Sequence, residues 1–238
     1  MNGQLELRER YAAVLRQIHD ACALANRKPD SVRLLAVSKT FSAAEVLAVA
    51  QLGQRAFGEN YLQEALPKIA SINAERPELA LEWHFIGPIQ SNKTRPIAET
   101  FAWVHSVERL KIAERLNDQR PAGMPALNLC LQVNVSAEAS KSGCAPEEAA
   151  NLANAIAVLP NLRLRGLMTI PEASTDPAIY CRRFSALRTL LEELRARGLA
   201  LDTLSMGMSS DLQTAIAQGS TMVRVGSAIF GARATKLA

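Results

Sequence analysis

Apolar and polar positions alternate along this chain in two rhythms. From Gln4 to Asn26, apolar side chains recur at helical spacing, among them Leu5, Ala12, Leu15, Ile18, Cys22 and Leu24, which predicts a leading amphipathic helix. Short continuous apolar runs then follow, each as expected for a strand buried on both faces. They are Val32 to Ser38, Arg55 to Gly58, Trp83 to Ile86, Ala102 to His105, Leu127 to Val135, Leu162 to Ile170, Thr203 to Met206 and Met222 to Val225. Helical patterns separate them. Ser42 to Glu45 carries the S-x-x-E capping-box pattern and opens a helix to about Gly53. Further helices are expected over Tyr61 to Ala74, Lys93 to Thr100, Glu108 to Gln119 and Leu212 to Gln218. Pro146 opens one that Pro160 closes, and Asp176-Pro177 starts a long one ending near Gly198.

Eight strands, each followed by a helical segment, predict an α/β fold: one (β/α)8 barrel (a TIM barrel) with an extra N-terminal helix, residues 1–238 forming a single domain. A doubly wound open sheet is the alternative, but no G-x-G-x-x-G follows the first strand. The longest loops, Ser136 to Gly143 and Pro171 to Asp176, follow strands five and six. In a barrel they lie over the mouth where chemistry is done.

Composition narrows the partners. With 238 residues and 48% hydrophobic content, the chain can bury a full core. Its 27 basic and 23 acidic residues give a net charge of +4 but are scattered, so no nucleic-acid surface is predicted. Cys22, Cys130, Cys144 and Cys181 lie far apart without metal-ligand spacing, which fits reduced thiols and a cytoplasmic location. The N-terminus mixes acidic and basic residues and has no apolar core of a signal peptide, and no segment is long enough to span a membrane.

Candidate chemistry gathers at strand ends. Gly207 to Asp211 and Val225 to Ser227 are turns rich in Gly and Ser that follow strands seven and eight, where barrels often bind phosphate. Lys39 directly follows LLAVS at the end of strand one and so reaches the same mouth, where an amine can attack a carbonyl and form a Schiff base. Arg224 interrupts an apolar run. Alternation puts Met222, Arg224 and Gly226 inside the barrel and turns Val223 and Val225 toward the helices. A lysine, a phosphate cradle and a cation between them match the needs of pyridoxal phosphate, the cation meeting the pyridine nitrogen. Arginine only donates, so it keeps that nitrogen unprotonated and weakens the ring as an electron sink. Asn60, His84 and Asn134 are read as lining the site. Trp83 and Trp103 are read as packing between strand and helix. No carboxylate pair, Ser/His/Asp arrangement or metal-ligand cluster is visible.

Six stretches carry a resemblance: LLAVSKT (Leu34 to Thr40), FGENYLQE (Phe57 to Glu64), WHFIGPIQSNKTR (Trp83 to Arg95), QVNVSAEASKSG (Gln132 to Gly143), GLMTIP (Gly166 to Pro171) and SMGMSSDLQTAIAQGSTMVRVGSAIFGAR (Ser205 to Arg233). They span nearly the whole chain, which resembles the YggS/PROSC pyridoxal-phosphate homeostasis family. The resemblance implies a barrel similar to the N-terminal domain of bacterial alanine racemases, with Lys39 as the aldimine lysine. It places Ser209, Gly226 and Ser227 at the phosphate and Arg224 at the pyridine nitrogen. Ser210 departs from the acidic residue of some relatives and leaves these positions untouched.

The resemblance also implies a non-catalytic binder that buffers pyridoxal phosphate or delivers it, with apo-enzymes as candidate recipients; no exposed apolar helix face stands out, so a monomer is expected. An amino-acid racemase is the alternative. The chain ends seven residues after Gly231, so no C-terminal domain supplying a second base is expected. An aldolase-like barrel using Lys39 without the cofactor stands third.

Overall fold

The computed structural model describes residues 2–136 and 141–232. Eight parallel strands, β1 (Arg33–Val37), β2 (Ala56–Glu59), β3 (Glu82–Phe85), β4 (Trp103–Val107), β5 (Leu127–Gln132), β6 (Leu162–Met168), β7 (Thr203–Ser205) and β8 (Met222–Val225), close into a barrel in chain order. Closure pairs β1 with β8, Arg33 opposite Met222 and Ala36 opposite Val225. Helices α1 (Asn2–Leu24), α2 (Ala43–Gln51), α3 (Leu62–Glu75), α4 (Thr94–Thr100), α5 (Leu110–Gln119), α6 (Ala149–Ala157), α7 (Pro177–Ala196), α8 (Leu212–Ala217) and α9 (Ser227–Phe230) accompany them. The fold is the (β/α)8 barrel that the alternating pattern predicts.

Local chemistry sets several boundaries. The Ser42 capping box forms in full: Ser42 N donates to Glu45 Oε2 at 2.7 Å, and Glu45 N donates to Ser42 Oγ at 3.3 Å. Pro146 opens a 3-10 turn, Pro146–Glu148, before α6 begins at Ala149. β4 runs two residues past the expected His105, to Val107, across a register break against β5. The four-residue α9 is too short to leave a periodic signature.

The strands sort their side chains into two layers. Leu34, Ala36, Phe57, Trp83, Phe85, Val104, Leu129, Leu131, Val223 and Val225 face outward into the main core shared with the helices. Inside the barrel lie two small apolar groups, Leu35 with Ala56 and Met222, and Trp103 with Cys130 and Met168. Trp103 therefore corrects the expectation of a strand–helix packing residue. Its parity matches His105, and its ring lies 5.3 Å from that of His84, nearly parallel to it.

The extra helix α1 lies across α8 and α9. An arginine within it and one just past its end reach their backbones, Arg10 Nε donating to Ile229 O at 3.0 Å and Arg27 Nη1 to Ile216 O at 2.8 Å. Both acceptors sit near helix C-termini, where carbonyls lack intrahelical partners and the dipole favours cations. No helix of the described residues is long and apolar enough to cross a membrane.

Candidate functional site

β1 ends in a tight turn. Phe41 N donates to Ser38 O at 3.1 Å, placing Lys39 and Thr40 at its two corners, and Thr40 takes φ 71°. That left-handed conformation is costly for a β-branched residue and stores strain beside the half-buried Lys39. The base of the turn is held from behind. Buried Glu59 accepts through Oε1 from Ser38 Oγ at 2.6 Å and from Lys68 Nζ at 2.7 Å, and Lys68 Nζ also donates to Ser38 O at 2.9 Å. Burial pushes the Glu59 carboxyl above its ordinary range, and the Lys68 ammonium opposes that rise.

The lysine turn and the turn after β8 meet at the barrel seam. A Cβ on Gly226 would lie 3.0 Å from Val37 O, so glycine lets the two backbones close up. Farther along, the rings of Phe41 and Phe230 stack. Gly226 and exposed Ser227 are thereby brought beside the strand end that carries Lys39. Ser209 is exposed on the neighbouring turn and borders a groove against α1. In that turn Gly207 has φ 99°, and a Cβ there would lie 2.6 Å from Ala215 Cβ. Met208 N donates to Asp211 Oδ1 at 2.5 Å, while Asp211 Oδ2 is buried with no partner among the described residues.

Arg224 points into the barrel and is 4% exposed. Its Nη1 donates to Ser205 O at 2.6 Å and Ser205 Oγ at 2.8 Å, and its Nη2 donates to Thr169 O at 2.9 Å. Burial draws its pKa down to about 10, against the pull of Asp211. The side chain stays cationic at neutral pH.

The remaining expected residues divide. Asn60 lines a cavity of about 440 Å³ over the ends of β2 to β5, together with Tyr61, Lys93, Ser106, Arg109 and Gln132. Lys39, Arg224 and Ser227 lie outside that lining. Asn134 braces the loop after β5, its Oδ1 accepting from Ser136 N at 3.2 Å and its Nδ2 donating to Lys141 O at 3.4 Å. His84 is fully buried in the barrel interior, its Nδ1 2.9 Å from His105 Nε2.

Sequence reasoning missed the residues that orient the others: Ser205 and Thr169 around Arg224, Glu59 and Lys68 behind Lys39, and the Phe41–Phe230 stack. Parity alone puts Ser205 inside with Thr203. Its bond to Arg224, nineteen residues away, depends on strand register, which a single sequence does not display. Chemically, the seam combines an amine, a buried guanidinium and a glycine–serine turn open to an anionic group.

A family model for the alanine racemase N-terminal domain matches residues 12–234. The chain is 61% identical over 225 residues to the pyridoxal phosphate homeostasis protein of Pseudomonas aeruginosa, covering 94% of this chain and 95% of that one. It is 49% identical over 231 residues to the protein of the same name from Escherichia coli, covering 96% and 97%. Among solved structures, PipY of Synechococcus elongatus with PLP bound superposes with a TM-score of 0.80 at 36% identity, covering 94% of this chain and 100% of that one. With the chain matched over nearly its full length, it belongs to the alanine racemase N-terminal domain family, among the pyridoxal phosphate homeostasis proteins.

Proposed function

We propose that this chain binds pyridoxal phosphate, without turning it to catalysis, and serves intracellular vitamin B6 homeostasis by buffering or delivering the cofactor. The observation that carries the reading is the seam itself, where the strand end that leads into Lys39 closes on Gly226, next in the chain but one to a buried, pre-oriented Arg224. Each part fits one end of the cofactor. Lys39 is the amine that holds its aldehyde carbon covalently; Gly226, Ser227 and Ser209 take the phosphate; Arg224 donates to the ring nitrogen. When bound, pyridoxal phosphate supplies an electrophilic carbon and an electron-withdrawing ring. An arginine that stays cationic and has no acceptor leaves the ring nitrogen unprotonated, which favours holding over carbanion chemistry.

The homeostasis names of relatives at 49–61% identity support the non-catalytic part of this reading. We read the chain further as one cytoplasmic, monomeric domain, with apo-enzymes as recipients and neither nucleic acid nor membrane as partner. The experiment is borohydride reduction of the loaded protein with peptide mapping, beside Lys39→Ala, followed by amino-acid turnover assays. A reduced adduct on Lys39 without turnover is the expected result. A wild-type chain that takes up no cofactor overturns the binding reading, and racemisation at enzymatic rates overturns the non-catalytic one.

A further inference from the structure

A line of buried polar groups crosses the barrel interior from Arg224 to the opposite mouth. Ser205 Oγ lies 2.8 Å from His105 Nδ1, His105 Nε2 lies 2.9 Å from His84 Nδ1, and His84 Nε2 lies 2.6 Å from Glu82 Oε1. Glu82 opens β3 at the N-terminal rim, is partly exposed, and pairs with Arg33 at 2.7 Å. His84, His105 and Ser205 are fully buried, so each must satisfy its polar atoms within the line.

Neutral imidazoles allow this line one arrangement of its protons. Burial opposes ionisation of Glu82, but the hydrogen bond from His84 and the cationic Arg33, paired at 2.7 Å, hold its carboxyl below the ordinary range. Burial drives both imidazoles below their ordinary value, His105 further because the Arg224 cation lies close, so both rings are neutral at neutral pH. An ionised carboxylate only accepts, so His84 carries its proton on Nε2 and accepts at Nδ1. His105 must then donate from Nε2 and accept at Nδ1. Ser205 donates its hydroxyl proton to that nitrogen and accepts from Arg224. Every donor points away from the site and toward Glu82.

We propose that Glu82, His84, His105 and Ser205 are positioning residues forming a one-way hydrogen-bond relay, through which a carboxylate at the far mouth fixes Arg224 and tunes the ring of the bound cofactor. The proposal rests on the cofactor reading above. The other charged or titratable groups around the line are Arg33 from β1, Cys130 from β5, Arg165 from β6, its partner Asp202, and Asp211 beside Arg224. Arg165 stacks over Trp103 at 5.0 Å, on the ring that covers His84. None of them supplies a second carboxylate to the two imidazoles, so the relay has one anionic end.

Two measurements test this. Ring-nitrogen NMR of the wild-type chain without cofactor should show His84 and His105 both as neutral Nε2–H tautomers at neutral pH. In the loaded protein, Glu82→Gln and Ser205→Ala should each shift the visible absorption maximum and its pH titration. The double variant should shift no further than Ser205→Ala alone, because the serine has already broken the line. A borohydride adduct on Lys39 reports loading in every case. An Nδ1–H tautomer or an imidazolium at either ring overturns the relay, even if cofactor binding holds. A band that Glu82→Gln leaves in place, or additive shifts in the double variant, overturns the coupling.

Discussion

The rings of Phe41 and Phe230 stack with centroids 4.8 Å apart and planes 24° from parallel, joining the turn that carries Lys39 to the helix that begins at Ser227. Neither residue is polar, yet together they fix the spacing between the amine and the expected phosphate turn. Truncating Phe230, which is 5% exposed, to alanine should cost about 3 kcal/mol of stability. It should also speed cofactor release. Urea unfolding and the rate at which a scavenging apo-enzyme removes the cofactor would check both.

Thr40 offers the opposite case, a gain in stability beside the site. Its φ of 71° suits glycine, so Thr40→Gly should relieve left-handed strain that outweighs the added flexibility of the unfolded chain. The expected gain is about 1 kcal/mol in urea unfolding. A loss would mean that contacts of the threonine side chain outweigh the strain.

The Glu59–Lys68 pair makes a pH-dependent prediction. Burial raises the Glu59 carboxyl in the folded state, so the native chain binds a proton that the unfolded chain has released, and stability falls as pH rises through that window. Lys68→Met removes the cation that limits this effect. It should cost about 3–5 kcal/mol near neutral pH, and distinctly less at about pH 3, where the carboxyl is protonated in both states. Adding Glu59→Gln should recover most of the loss. Unfolding curves across this range test the sign.

The thiols should differ sharply in reactivity. Burial pushes Cys130 and Cys144 up to about 12, and buried Cys22 is raised as well. Cys181 is half-exposed on α7. Brief alkylation of the native protein should add one label, mapped by mass spectrometry to Cys181, and unfolding should expose all four.

The barrel was legible in the sequence because strands buried on both faces and helices buried on one leave different periods. The positions of Lys39 and Gly226 just past strand ends, and of Arg224 in the interior, were legible because the apolar runs mark where strands stop and alternation assigns Arg224 to the inner face. Trp103 was misplaced because a large aromatic ring reads as helix-facing unless strand parity is applied to it, as it was to Arg224. The line from Arg224 to Glu82 was hidden for another reason. His105 and Ser205 are 100 residues apart in the chain, and only closure of the barrel brings β4 and β7 within hydrogen-bonding reach.

Arg10 reaches a carbonyl 219 positions further along the chain, and the barrel itself closes by joining its first strand to its last. Lys39 therefore leaves the ribosome long before Gly226 and Ser227 exist to complete its surroundings. Until β8 is made, the edge of β1 that pairs with it, Arg33 to Ala36, stays open. Closure is thus deferred until synthesis is nearly finished, and a chain truncated before Met222 lacks the strand that seals the barrel.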